Sequence, residues 1–204
     1  MILYKTFIKT LIPLLLAITS FTKVQAQQFS IEDIPLTWKD FTVKEGFRNH
    51  PFDAKIYTNT PYNWKIKNKD GMTSLVISTE LIVSPEKSWV KKEFLNGNTK
   101  TKTQELLNHE KGHFIIALIH FKKVQKILSE YTFHKQQVKF QLDSIFKSSG
   151  ATLGSMNEIY DNETNHMLIV DKQQEWIKNL LQQLNELYAE DKKLSMKFEI
   201  EVKI

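Results

Sequence analysis

Apolar residues recur at every second position in stretches of residues 27–83, at every third or fourth through the middle of the chain, and at every second again at the end. A period of two marks a half-buried strand and a period near 3.6 an amphipathic helix. Residues 27–83 therefore read as β structure. Phe52, Ala54, Ile56 and Thr58 alternate with Asp53, Lys55 and Tyr57, and Tyr62, Trp64 and Ile66 with Asn63, Lys65 and Lys67. Asp70-Gly71 is a hairpin turn signal, which makes Leu75 to Val83 the return strand. The short aromatic stretch Leu36 to Phe41 falls in the same region, and Trp38, Trp64 and Trp89 read as core or strand-packing residues.

Ser84-Pro85 and Asn96-Gly97-Asn98 interrupt the β pattern. A long helix follows over about 102–130, with Thr101 and Gln104 as a capping box. Its apolar face carries Leu106, His109, His113, Ala117, His120, Val124 and Leu128. A second helix is expected over 135–148, a break at Gly150 and Gly154, and a third, solvent-exposed helix from Ser155 to Tyr188. Phe198, Ile200, Val202 and Ile204 then alternate with charged residues, the pattern of a one-faced strand at a sheet edge. Strands followed by helices imply an α+β fold, not a wound parallel sheet.

The first 26 residues form a different kind of segment. Lys5 and Lys9 precede or enter the apolar run Leu11 to Phe21, and Val24-Gln25-Ala26 supplies a small residue before a cut. The expectation is a cleaved signal peptide over 1–26 and one domain over 27–204. The protein would then be secreted, to the periplasm or beyond the cell, with no membrane span after cleavage. Loss of Lys5, Lys9 and Lys23 lowers the net charge from +5 to +2. Arg48 is the one arginine in the chain, so the cationic surface that nucleic acid requires is missing. The chain has no cysteine, so any metal site must be built from His, Asp and Glu.

Such a site has an evident nucleus. His109-Glu110-Lys111-Gly112-His113 reads His-Glu-x-x-His within the long helix, with the two imidazoles four residues apart on one face. Two histidines so spaced can chelate Zn²⁺ while the carboxylate between them acts on water. A catalytic zinc needs a third protein ligand. His120 lies about 10 Å further along the helix axis, out of reach of the same ion. The remaining cluster is Tyr160-Asp161-Asn162-Glu163-Thr164-Asn165-His166, in which Glu163 and His166 are the local ligand candidates. His50 and His134 read as exposed histidines outside the site.

Leu36 to Phe41, then Ser88-Trp89-Val90 leading to His109-Glu110-Lys111-Gly112-His113-Phe114, then Tyr160 to His166 together resemble the secreted zinc-dependent proteases predicted as domain-of-unknown-function family 922. The last family block reads Tyr-Asp-x-x-Thr-x-His-Gly, and this chain departs from it with Met167 in place of the glycine. The resemblance implies a zincin-like fold, a polypeptide substrate, and His166 as third ligand in preference to Glu163. Asp161 stands behind both as a ligand candidate and reads better as the carboxylate that orients a ligating imidazole. In that reading Glu110 is the general base, and Tyr160 is either a donor to the oxyanion or a structural phenol. Leu75 to Val83 would be the edge strand that pairs with substrate. Two other readings remain open: a metal hydrolase acting on a cell-wall amide, and a non-catalytic module in which zinc staples helix to helix.

Overall fold

A computed structural model describes residues 28–191 and 193–204; the proposed signal peptide lies outside them. The first regular element among the described residues is a short 3-10 turn, Trp38–Asp40, where the sequence suggests β structure. Thr37 and Asp40 explain the difference. The Thr37 hydroxyl accepts the Lys39 N–H and the Asp40 carboxylate accepts the Thr37 N–H, a reciprocal cap that curls the backbone locally.

Three small sheets follow. β1 (Thr42–Lys44), β7 (Trp89–Lys91) and β2 (Ala54–Lys55) form the first, with β7 in the middle, parallel to β1 and antiparallel to β2. β3 (Thr58–Asn59) pairs with β6 (Ile82–Val83). The third sheet is the largest, β4 (Tyr62–Lys69), β5 (Met72–Glu80) and β8 (Lys197–Lys203) in the order β4-β5-β8. Asp70 and Gly71 close the β4–β5 hairpin with φ of 51° and 76°, the two positive values that a tight hairpin turn of the I′ kind requires.

β5 is thus the central strand, hydrogen-bonded to β4 along one side and to β8 along the other. This overturns the expectation that Leu75 to Val83 offers a free edge. The C-terminal strand takes that edge, because Ile200 and Val202 fall beside Ile77 and Leu75 and extend the same apolar face. With both edges occupied and Leu75 and Ile77 fully buried, the strand serves the core.

The helices are α1 (Lys92–Gly97), α2 (Lys100–Glu130), α3 (Val138–Thr164) and α4 (Val170–Leu187). The Thr99 hydroxyl caps α2 by accepting the Lys102 N–H. The middle of α2 is buried on nearly every side, with Phe114 to Phe121 all inaccessible. One core forms where Leu106 to Ile119 meet the N-terminal segment, Tyr160 and α4; the other forms where Val124 and Leu128 meet Leu75, Ile77 and Leu142.

α3 runs straight through Gly150 and Gly154, where a break was expected. Each internal glycine costs about 1 kcal/mol relative to alanine, and packing at the two ends of α3, through Leu142 and Tyr160, outweighs that. The break falls instead at Asn165, His166 and Met167, whose φ values of 46°, 50° and 78° are all left-handed. Asparagine tolerates that conformation best among residues with a side chain, and Asn165 is the C-cap. The α3–α4 turn therefore holds His166 where a continuous helix from Ser155 to Tyr188 was foreseen.

Candidate metal centre

α2 presents His109 and His113 one turn apart, ring centroids 4.8 Å from each other and nearly perpendicular. α3 crosses at this level and directs Asp161 between them. Asp161 Oδ1 lies 3.1 Å from His109 Nε2 and 3.0 Å from His113 Nε2. His166 Nδ1 approaches the same oxygen to 3.2 Å from the α3–α4 turn. His109, His113 and Asp161 each contribute a ligand atom within 4.8 Å of the others, the one group of this kind among the described residues. The geometry thus brings Asp161, which the sequence ranks behind His166 and Glu163 as a ligand and reads chiefly as an orienting carboxylate, into the middle of the nitrogen set, with His166 beside it at the rim. Glu163 turns away and accepts the Trp176 indole N–H at 2.8 Å.

The donor set fits a divalent cation. In the hydrogen-bond network His113 Nδ1 donates to Asn157 Oδ1 at 2.8 Å, which leaves the Nε2 lone pair directed at Asp161. A lone pair and a carboxylate oxygen 3.0 Å apart repel unless a proton or a cation lies between them. His109 is 3% exposed and its Nδ1 has no hydrogen-bond partner among the described residues, so it too is an imidazole held without full compensation. Four-coordinate zinc with bonds of about 2.0–2.1 Å keeps its ligand atoms about 3.3 Å apart, close to the separations found around Asp161 Oδ1.

The electrostatics follow from burial and proximity. Burial pushes the His109 pKa down to about 4, against the opposing pull of Asp161. Burial acts on Asp161 in the opposite direction, upward, yet the hydrogen bonds with His109 and His113 hold its carboxyl well below the usual range. For His113 burial is outweighed by Asp161 and Glu110, and its pKa is raised. Glu110 is 2% exposed, and burial lifts its pKa to about 7. Its Oε2 accepts the Ile56 N–H at 2.8 Å, which ties the carboxylate to the chain just beyond β2.

Above these groups opens a cavity of about 360 Å³. Its floor is His109, Glu110, His113 and Asp161, and one wall is the segment Pro51–Ile56. β2 is an edge strand. Asp53 O accepts the Lys91 N–H and Lys55 pairs with Trp89, so the peptide groups of Ala54 between them point away from β7. Among the described residues this edge is unpaired and lies beside Glu110, although the Ala54 side chain is buried; it has the placement expected of Leu75–Val83. Buried Lys91 holds the lip in place, its Nζ 2.9 Å from Asp53 Oδ1 and 2.6 Å from the His50 carbonyl. His50 is itself wedged against Trp89 and Phe52 instead of standing exposed, whereas His134 is exposed as expected. His120 is buried further along α2, and its pKa is lowered by burial.

Tyr160 lies beneath the site and does not line the cavity. Its ring is fully buried, stacked on His109 at 4.8 Å and 16°, and its hydroxyl donates to the His109 carbonyl at 3.3 Å. In this arrangement the phenol supports the His109 ring instead of facing the cavity. Gly112 makes the stacking possible: a β-carbon there would lie 2.6 Å from Tyr160 Cζ. Sequence reasoning passed over Gly112, Asn157 and the Ile56 N–H. A glycine inside a strong helical pattern is a signal of close approach, and Asn157 is one helical turn before Asp161 on the same face; the Ile56 contact left no local trace.

No family model, no curated protein and no solved structure matches the chain. Among the described residues no helix is long and apolar enough to cross a membrane.

Proposed function

We propose that the chain is an exported zinc-dependent peptidase of zincin-like build. The observation that carries this reading is the placement of Glu110, a buried carboxylate at the floor of an open cavity, beside His109, His113 and Asp161 and beneath a free strand edge. His109 and His113 would hold the ion with Asp161 as third ligand, while His166 contacts the same carboxylate oxygen from the rim. Zinc in that position supplies a Lewis acid that polarises a carbonyl and acidifies water.

The protein's own groups do the rest. Glu110, with its pKa raised to about 7, accepts a proton from the attacking water and passes it to the departing amine. The Ile56 N–H keeps one carboxylate oxygen fixed and leaves the other for this exchange. Ala54 offers main-chain groups to an extended polypeptide, which aligns the scissile bond over Glu110. Asn157 fixes the His113 tautomer and Tyr160 the plane of the His109 ring.

The test is Glu110→Gln. Zinc content by mass spectrometry should stay near one ion per chain while cleavage of an unfolded protein substrate is lost. Unchanged turnover removes Glu110 from the reaction, and cleavage of peptidoglycan stem amides in place of polypeptide favours the cell-wall hydrolase. A second reading is favoured by one distance: His166 Nδ1 at 3.2 Å from Asp161 makes a fourth protein group available, as a closed structural zinc site requires. In that case the ion only staples α2 to α3. Removal of His166 decides between them.

A further inference from the structure

The turn that carries His166 continues into a surface that breaks two rules at once. Leu168, Ile169 and Val170 are 63%, 45% and 38% exposed, and three consecutive exposed apolar residues are a fault in a soluble surface unless they meet a ligand. Ile169 also occupies the N-cap of α4 without a side-chain hydrogen bond, where Ser, Thr, Asp or Asn would satisfy a free helix N–H. Local rules are broken in this way where function demands it.

Looseness does not account for the exposure. The Leu168 N–H donates to the Asn165 carbonyl at 3.1 Å and the Ile169 N–H to the Thr164 carbonyl at 2.9 Å, so the turn is internally bonded. Met167 anchors it in the core at 2% exposure. The Gln173 amide of α4 donates to the Glu105 carbonyl of α2 and ties the helix start to the motif helix. The apolar side chains thus stand on a rigid base. Leu168 lines the cavity over Glu110, as does Phe52, whose ring lies 4.4 Å from that of His166.

We propose that Leu168 and Phe52, which line the cavity, with Ile169 and Val170 extending the apolar surface from its rim, form the subsite that receives an apolar side chain of the substrate next to the bond over Glu110. The enzyme then prefers polypeptides with a Leu-, Ile- or Phe-like residue at that position. The assignment rests on the peptidase reading for the identity of its ligand, and the geometry of the subsite rests on the cavity and the turn. Continuity with the cavity selects a substrate side chain as the occupant.

The experiment uses zinc-loaded Glu110→Gln protein, so that binding is read without turnover. Fluorescein-labelled peptides Ala-Ala-Xaa-Ala-Ala, with Leu or Asp as the central residue, are titrated by anisotropy. The Leu peptide should bind about 10-fold tighter or more, the discrimination expected from burying one apolar side chain. Adding Leu168→Ser and Ile169→Thr should shrink the ratio to about 2-fold or less through loss of Leu-peptide affinity, with the Asp-peptide affinity unchanged. Thr at the N-cap should leave the unfolding midpoint equal or higher, which separates loss of the subsite from loss of fold. Equal binding of the two peptides, binding of neither, or a ratio unaffected by the double substitution overturns the proposal. Leu168-dependent sedimentation with phosphatidylglycerol vesicles, without peptide preference, also overturns it, in favour of a membrane contact. If the unsubstituted protein cleaves nothing but the Leu preference is present, the subsite stands and the peptidase reading falls; cleavage without apolar preference gives the reverse.

Discussion

Gly112→Ala sets helix propensity against close packing. In an exposed helix interior, alanine in place of glycine stabilises by about 1 kcal/mol, so a reader of the motif alone expects a firmer α2. The structure reverses the sign. A β-carbon at 112 would lie 2.6 Å from Tyr160 Cζ and 2.9 Å from Cε1, and nearer still to the hydroxyl oxygen. Tyr160 cannot yield easily, because it is fully buried between His109, His113 and Trp176. Overpacking of this kind costs about 1–3 kcal/mol, and losing the Tyr160 hydrogen bond to the His109 carbonyl about 1 more. Net of the propensity gain, the metal-free protein should lose about 1–3 kcal/mol. For a domain of this size that is a fall in Tm of about 2–12 °C.

Urea and thermal unfolding in the presence of chelator measure the loss, and zinc titration measures the second effect. Because the Tyr160 ring stacks on His109, moving it turns a ligand, and zinc affinity should drop as well. Gly112→Ala combined with Tyr160→Phe removes the nearest clashing atom and should recover part of the stability. A single Gly112→Ala variant as stable as the parent, or more so, refutes the close α2–α3 approach on which the site's geometry depends.

Asp161→Ala should abolish zinc binding, whereas Glu163→Ala should leave it intact; His166→Ala keeps the ion if the site is catalytic and open, and loses it if four protein groups close around it. Lys91→Met should destabilise by about 1–2 kcal/mol, read by urea unfolding. The change strips the His50 carbonyl of its buried donor, while half-exposed Asp53 regains water, so the ion pair itself adds little. Expression with the full leader in a secreting host should yield a mature chain beginning at Gln27 by N-terminal sequencing; an intact residue 1 on the exported protein refutes the proposed cut after Ala26.

Local patterns carried a large share of the architecture. The alternation over Phe198 to Ile204 and the Asp70-Gly71 turn are one-residue-scale signals, and β8 and the β4–β5 hairpin appear where they point. The spacing of His109, Glu110 and His113 is likewise local: a helix puts residues four apart on one face whatever surrounds it. These features depend on interactions within about one turn or one hairpin, and such interactions can be read along the chain.

What remained hidden depends on partners distant in sequence. Nothing near Leu75 states that Ile200 and Val202 will cover its strand's free edge, since the covering residues lie more than a hundred positions away. Gly150 and Gly154 read as a break because propensity is local, whereas α3 is held by burial at its two ends. The third group at the centre was decided in the same manner. The sequence favours His166 over Glu163 and Asp161 as the third ligand, but the left-handed turn at Asn165–Met167 and the Gly112–Tyr160 contact determine that an Asp161 oxygen stands between His109 and His113. The sequence by itself determined the helix, its two imidazoles and its carboxylate. Only the tertiary structure decided that Asp161 completes the group and that β2, not β5, offers the open edge, because both depend on how α3 and the first sheet dock against α2.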